Sequence, residues 1–235
     1  VRSSLQGRVE EVLAYNKFDI QIVFGRAYRS NKVVSVIETV PGIAAIESWT
    51  GGSALRVRPD GTESDPISIT ALPADSTMIG PTLVSGRWLL NSDQNAIVLS
   101  QSILSDEPDI ALGDQITLRI NDKDRLWTVV GFAQTSEFGG SVSAYVTENY
   151  FAEITNRVDE ASRVLITLTP DAPYTIDEAA DLLETQLEDA GLDVSRVNTV
   201  ARIRSFTSSF FDVIVSLLLV MGVLIASVGA LGLAG

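Results

Sequence analysis

The chain predicts an α+β body followed by a C-terminal transmembrane helix. Three observations point there. A strand–helix–strand order stands near the start and returns near the end of the body. A β-rich stretch punctuated by turns separates the two. Residues 213–235 then run without one charged side chain. The body is accordingly expected to hold one α+β subdomain, built from two split βαβ-like halves, with a β-rich subdomain inserted between them.

Residues 1–16 place Val1, Leu5, Val9, Val12 and Leu13 at helical spacing, with Arg2, Arg8, Glu10 and Glu11 elsewhere. That pattern predicts an amphipathic stalk helix, the continuation of a membrane span expected upstream of Val1. Residues 17–24 (KFDIQIVF) alternate polar and apolar, as a half-buried strand does. Residues 31–40 switch to helical period, with Val33, Val36, Ile37 and Val40 on one face. Pro41-Gly42 ends this helix, and residues 43–49 read as a second strand.

The later half repeats the order. Residues 163–169 (RVLITLT) form a strand. Residues 174–190 form a long helix with Ile176, Ala179, Ala180, Leu183 and Leu187 inward, and Asp177, Glu178, Asp181, Glu184, Glu188 and Asp189 on its wet face. Gly191 suits the position after a helix end, and residues 193–200 return as a strand. Between the halves, strands are expected at 54–58, 67–72, 96–99, 115–120, 126–133 and 143–146. Short helices are expected at 101–105 and 148–154. Turns are marked by Pro59-Asp60-Gly61, Asn121-Asp122 and Gly139-Gly140. The expected domains are therefore 1–16 (stalk), 17–51 with 161–200 (α+β subdomain), 52–160 (β-rich insert) and 201–235 (stalk and transmembrane helix).

The uncharged tract of 23 residues corresponds to roughly 34 Å of helix at ~1.5 Å per residue, enough to cross a hydrocarbon core of ~30 Å. Residues 201–212 contain no proline or glycine, so helix can run unbroken into lipid, with Phe210 and Phe211 near the interface. Gly222, Ala226, Ala230 and Ala234 recur every fourth residue. Small side chains at that spacing let a second helix approach closely, so these four are the candidate helix-packing site. Arg202 and Arg204 flank the span on the body side, but large domains translocate largely regardless of such charges.

Composition excludes several functions. With 17 basic and 30 acidic residues, the net charge is −13, which disfavours nucleic acid as a partner. Cysteine and histidine are both absent. Disulfides, His- or Cys-built zinc sites, Ser-His-Asp hydrolysis and Cys-His chemistry are thereby excluded. Neither a phosphate-binding Gly-rich loop nor a GxSxG elbow is present. Asp106, Glu107 and Asp109 cluster around Pro108 without calcium-loop spacing, and read as a solvated loop. Asp122, Lys123 and Asp124 read as a charged hairpin tip. No catalytic residue, metal ligand or cofactor is expected.

Within the insert, Gly86-Arg87-Trp88, then residues 96–100 (AIVLS), then Leu112-Gly113-Asp114 with Ile116 and Leu118, then residues 127–132 (WTVVGF) follow one another. This succession resembles the extracytoplasmic core domain of the MacB/FtsX-like ABC-transporter permeases. The resemblance spans essentially the whole chain and implies a porter-like α+β subdomain with a β-rich insert, set between the first and second membrane helices. It further implies a multi-pass cell-membrane protein with its body on the extracytoplasmic side. The partners implied are a cytoplasmic ABC ATPase, a second permease copy, membrane lipid, and an extracytoplasmic adaptor or cargo. Read without the family, Gly113-Asp114 is a turn entering a strand, Trp127, Val129 and Phe132 are core, and Gly86 serves a tight turn. The alternative reading is an extracytoplasmic sensor domain of a membrane-bound signalling protein, which shares the helix–body–helix layout. A membrane-anchored hydrolase using Asp/Glu pairs lacks any recognisable candidate pair.

Overall fold

The computed structural model describes residues 15–134 and 143–199. Residues 1–14 of the stalk helix expected over 1–16, the Gly139-Gly140 turn, and everything from residue 200 onward, including Gly222, Ala226, Ala230 and Ala234, lie outside the described residues.

The elements are β1 (Ile20–Arg29), α1 (Ser30–Ile37), β2 (Ile43–Val57), β3 (Ile67–Leu72), β4 (Thr82–Gly86), β5 (Ala96–Ser100), a 3-10 turn (Gln101–Ser105), β6 (Gln115–Ile120), β7 (Lys123–Gln134), β8 (Ser143–Thr147), α2 (Glu148–Thr155), β9 (Glu160–Leu168), α3 (Ile176–Asp189) and β10 (Val194–Thr199). The architecture is the expected mixed α+β.

The two strand–helix–strand halves interleave. The order β10-β1-β9-β2 places β9 between β1 and β2, and β1 between β9 and β10, with every neighbour antiparallel. Each half is thus a βαβ unit split by a strand of the other, a ferredoxin-like arrangement. This four-stranded unit is called the flank sheet below. Helices α1 and α3 pack on it, burying Val33, Ile37, Ala179, Ala180, Leu183 and Leu187 against Ile20, Ile22, Val164 and Ile166. The start of α3 is set by a reciprocal capping box between Thr175 and Glu178. Its end is a Schellman closure: Gly191 takes φ +75, the Leu192 N–H reaches the Leu187 carbonyl at 2.9 Å, and the Gly191 N–H reaches that of Glu188 at 2.8 Å. Leu192 and Leu187 then join the same core.

The insert is a ring. Pairings run β2-β3-β8-β5-β7-β6 and return to β2, because β6 joins both β7 and the far end of β2. Closure leaves these six strands without a free edge. Inward residues alternate along them: Ile67 and Ile69, Ile97 and Leu99, Ile116, Leu118 and Ile120, Trp127 and Val129, Ala144 and Val146. A register shift opposite Ile97/Val98 leaves Val130 as an extra residue in β7, after which Phe132 faces inward. The β6–β7 hairpin turns at Asn121 and Asp122, both at positive φ (49° and 61°), as a type I′ turn requires.

Three expectations need correction. First, residues 43–49 and 54–58 were expected as two strands, but β2 runs unbroken for 15 residues through Gly51-Gly52. These glycines are a packing requirement and not punctuation: a Cβ on Gly51 would lie 2.3 Å from the Ile69 carbonyl oxygen of β3. Second, β4 is a strand that alternation could not reveal, since all five of its residues are exposed. Third, Gly86 lies in β4 at φ +76 as a close-approach residue, where an added Cβ would meet the Val130 carbonyl oxygen at 2.3 Å. β1 is also displaced from the expected 17–24, although its buried Ile20, Ile22 and Phe24 keep the expected phase.

β2 therefore belongs to both parts, pairing with β9 over Ile43 to Trp49 and with β3 and β6 beyond it. Gly51→Ala is expected to destabilise the chain by more than the ~1 kcal/mol scale of ordinary glycine effects, because backbone must move. A Cβ on Gly52 meets only the Phe151 ring edge, at 3.4 Å. Gly52→Ala is expected to fall within ~1 kcal/mol of wild type, and denaturant titration of the two variants checks the contrast.

Candidate functional site: the seam where the chain enters the body

A third core lies between the flank sheet and the outer face of the ring. It joins Trp49 of β2 and Leu165 of β9 to Leu72, Val98, Ala133 and Tyr145 on the ring's outer side, with Met78, Ile79 and Leu89 from the connections. Tyr15 and Phe18 are buried in it. The segment carrying them is fixed by backbone bonds: Gly80 N–H to the Tyr15 carbonyl at 2.8 Å and Lys17 N–H to the Met78 carbonyl at 2.9 Å. Asn16 and Ile79 form an isolated antiparallel bridge. Within the seam, the Tyr15 and Tyr145 hydroxyls share a buried hydrogen bond of 2.5 Å, and the Trp88 ring packs on Tyr145 with centroids 5.3 Å apart. Glu47 closes one side, accepting from Trp49 Nε1 at 3.0 Å, Ser76 Oγ at 2.5 Å and the Thr77 N–H at 3.3 Å.

The last strand ends beside the first residue of β1. Thr199 is the register partner of Ile20, with Asn198 opposite Gln21. Thr199 is fully buried and its Oγ1 donates to Asp177 Oδ1 at 2.8 Å. Asn198 Nδ2 donates to Gln21 Oε1 at 3.0 Å. Antiparallel partners lie only ~5 Å apart between Cα atoms, so the first and last strands meet at one end of the flank sheet.

Away from the seam, the acidic cluster proves not to be a solvated loop. Glu107 is 3% exposed and takes charge-assisted hydrogen bonds from Arg56 and Arg58. Asp109 receives both terminal nitrogens of Arg56, at 2.7 and 2.6 Å, a bidentate geometry. The Arg56 guanidinium holds the Asp109 carboxyl down at about 2. Asp106 takes no part in the clamp and caps the 3-10 turn through its backbone N–H. The clamp ties the end of β2 to the segment before β6, and its donors and acceptors satisfy one another. Asp124 of the charged hairpin tip pairs with Arg119, at 2.6 and 2.9 Å. On the α3 face, Glu178 is engaged in the capping box and Asp177 holds Thr199.

Among the described residues, no group of three or more His, Cys, Asp or Glu side chains is arranged to hold a metal ion. No described helix is long and apolar enough to cross a membrane. Sequence reasoning had missed Tyr15, Tyr145, Arg56 and Arg58. Tyr15 lay within an apparent amphipathic helix, and the Arg-Val-Arg spacing of 56–58 showed two cations on one strand face without showing their partners.

No family model matches the sequence, and no curated protein matches it. The fold has solved counterparts. The periplasmic region of MacB from Actinobacillus actinomycetemcomitans superimposes with a TM-score of 0.58 at 15% identity, covering 86% of this chain and 98% of that one. The extracellular domain of the noncanonic ABC-type transporter YknZ from Gram-positive bacteria gives a TM-score of 0.50 at 13% identity, covering 76% and 99%. The chain thus carries the fold of the extracytoplasmic domains of MacB and YknZ.

Proposed function

We propose that the chain is the extracytoplasmic domain of an ABC-transporter permease subunit and works mechanically. In this reading a cytoplasmic partner ATPase hydrolyses ATP and swings the membrane helices. The body transmits that motion outward, to export a molecule, release a lipoprotein or activate a cell-wall enzyme. No bond is made or broken in this chain. The observation that carries the reading is the pairing of Ile20 with Thr199, which sets the start of the first strand of the body beside the end of the last. A domain whose first and last strands meet can be moved as a unit by a pair of neighbouring rods. The part of the expected 1–16 stalk that precedes Tyr15, and the expected stalk over 201–212, would be those rods, the expected span over 213–235 would follow, and Gly222, Ala226, Ala230 and Ala234 would pack against another helix of the permease or its second copy. The division into an α+β subdomain (17–51 with 161–200) and an insert (52–160) belongs to the same proposal.

Rigidity of the exit stalk is the testable element. Inserting a flexible Gly-Ser segment at residues 207–209 of the full-length permease, reconstituted with its ATPase, is expected to leave ATP hydrolysis intact while transport falls at least tenfold. Undiminished transport in that variant would contradict the mechanical reading.

A further inference from the structure

The two ends of the body are wired differently. The last described residues touch the flank sheet: β10 pairs with β1, and Thr199 bonds to Asp177 of α3. The first described residues lie across the seam, with Tyr15 and Phe18 packed among residues of both the flank sheet and the ring. Their polar contacts go to the ring's Tyr145 and to the connection between β3 and β4, at Met78 and Gly80. That connection is itself held to β2 by Glu47 through Ser76 and Thr77. Below Trp49, β2 belongs to the flank sheet, and beyond it to the ring, with Gly51-Gly52 at the crossing. Beside this shared strand and the α2 segment that carries the chain from β8 to β9, the seam also joins the two parts, and Tyr15 and Phe18 pack within it.

From this wiring we infer that residues 15–18 form a strap that sets how the ring sits on the flank sheet, so that a pull on the N-terminal segment re-aims the ring about β2 at Gly51-Gly52, while the C-terminal segment only anchors the flank sheet. The inference deepens the mechanical reading and rests on it for the source of the pull. Tyr15 and Tyr145 are positioning residues here. Their rings hold the strap by burial, and the shared hydroxyl bond fixes its register, since a hydroxyl buried without a partner is costly.

The chain has no cysteine, so two engineered ones are unique labelling sites once any cysteine elsewhere in the full-length protein is replaced. Ser105 in the ring and Glu188 on α3 are both exposed. Spin labels at Ser105→Cys and Glu188→Cys, in the full-length protein in lipid nanodiscs without nucleotide, report the ring-to-flank distance by double electron–electron resonance. Wild type is expected to give one narrow distribution. Tyr15→Phe with Tyr145→Phe, and separately Phe18→Ala, are expected to shift it or widen it at least twofold. Thr199→Val, which removes the exit-end hydrogen bond to Asp177, is expected to leave it unchanged. Tyr15→Phe alone removes one hydroxyl and no ring, and keeps the test available should Phe18→Ala fail to fold. The strap is overturned if the tyrosine variants retain the wild-type distribution, or if Thr199→Val widens it equally. These distances need neither ATP nor transport. A failure here with uncoupling by the 207–209 insertion removes the strap alone. Undiminished transport in the insertion variant removes the mechanical reading and leaves the distances standing.

Discussion

Glu107→Ala is expected to cost about 3–5 kcal/mol of folding stability, the range for removing one partner of a buried ion pair. The side chain is the shared acceptor of Arg56 and Arg58, and its removal leaves the Arg56 guanidinium, itself 6% exposed, short of half its partners. Asp109 still holds Arg56 bidentately, which places the expected value near the lower end. Replacing the pair together, Arg56→Met with Glu107→Leu, removes charge and counter-charge at once. That double variant is expected to lose less than Glu107→Ala alone, because no uncompensated charge stays buried. Denaturant midpoints of the three proteins check the order. The same clamp gives a pH signature. Asp109 titrates at about 2 in the folded chain, below the ordinary aspartate range near ~3.9. Its contribution is therefore fully present above about pH 4 and lost as pH falls towards 2. Asp109→Asn is expected to flatten the acid limb of the stability curve in that window. With 59% of the Asp109 side chain exposed, solvent screens the pair and the effect is smaller than that of Glu107.

This clamp also marks where the sequence stops being informative. Helix α3 was readable because its signals are local: Thr175 and Glu178 three residues apart, the Ile176–Leu187 apolar stripe, and Gly191 after the end. The inward phase of Ile116, Leu118 and Ile120, and the core role of Trp127, Val129 and Phe132, were readable for the same reason. Glu107 was misread because its partners lie 49 and 51 residues away, and nothing in Asp106-Glu107-Pro108-Asp109 distinguishes a wet loop from a buried clamp. The Tyr15–Tyr145 contact spans 130 residues. Gly51-Gly52 looked like a strand break because glycine more often punctuates, yet here the carbonyl of Ile69 forbids a side chain. β4 buries nothing, so it leaves no periodicity to read. The interleaving of the two βαβ units follows from the pairing of β1 with β9, which neither strand announces by itself.

Trp127→Ala and Leu183→Ala are expected to cost about 3–5 and 2–5 kcal/mol respectively, the ranges for emptying well-packed core positions. Trp127 is fully buried in the ring, with the Tyr150 ring edge-on at 5.3 Å between centroids. Leu183 is fully buried between α3 and the flank sheet. The informative quantity is the shape of the transition. β2 supplies hydrogen bonds to both parts and the seam also joins them, so losing either core strips packing from the other. Each variant is expected to unfold in one cooperative step at a lower denaturant concentration, with coincident curves by far-ultraviolet circular dichroism and by tryptophan fluorescence. In Trp127→Ala the remaining tryptophans are Trp49 and Trp88, both placed at the seam, so fluorescence reports that joint directly. Coincidence would mean that the ring and flank sheet are one folding unit that bends without separating, as a body transmitting force through a shared strand requires. A fluorescence transition well ahead of the dichroism in Trp127→Ala would instead make the ring an independent domain, and β2 a tether rather than a beam.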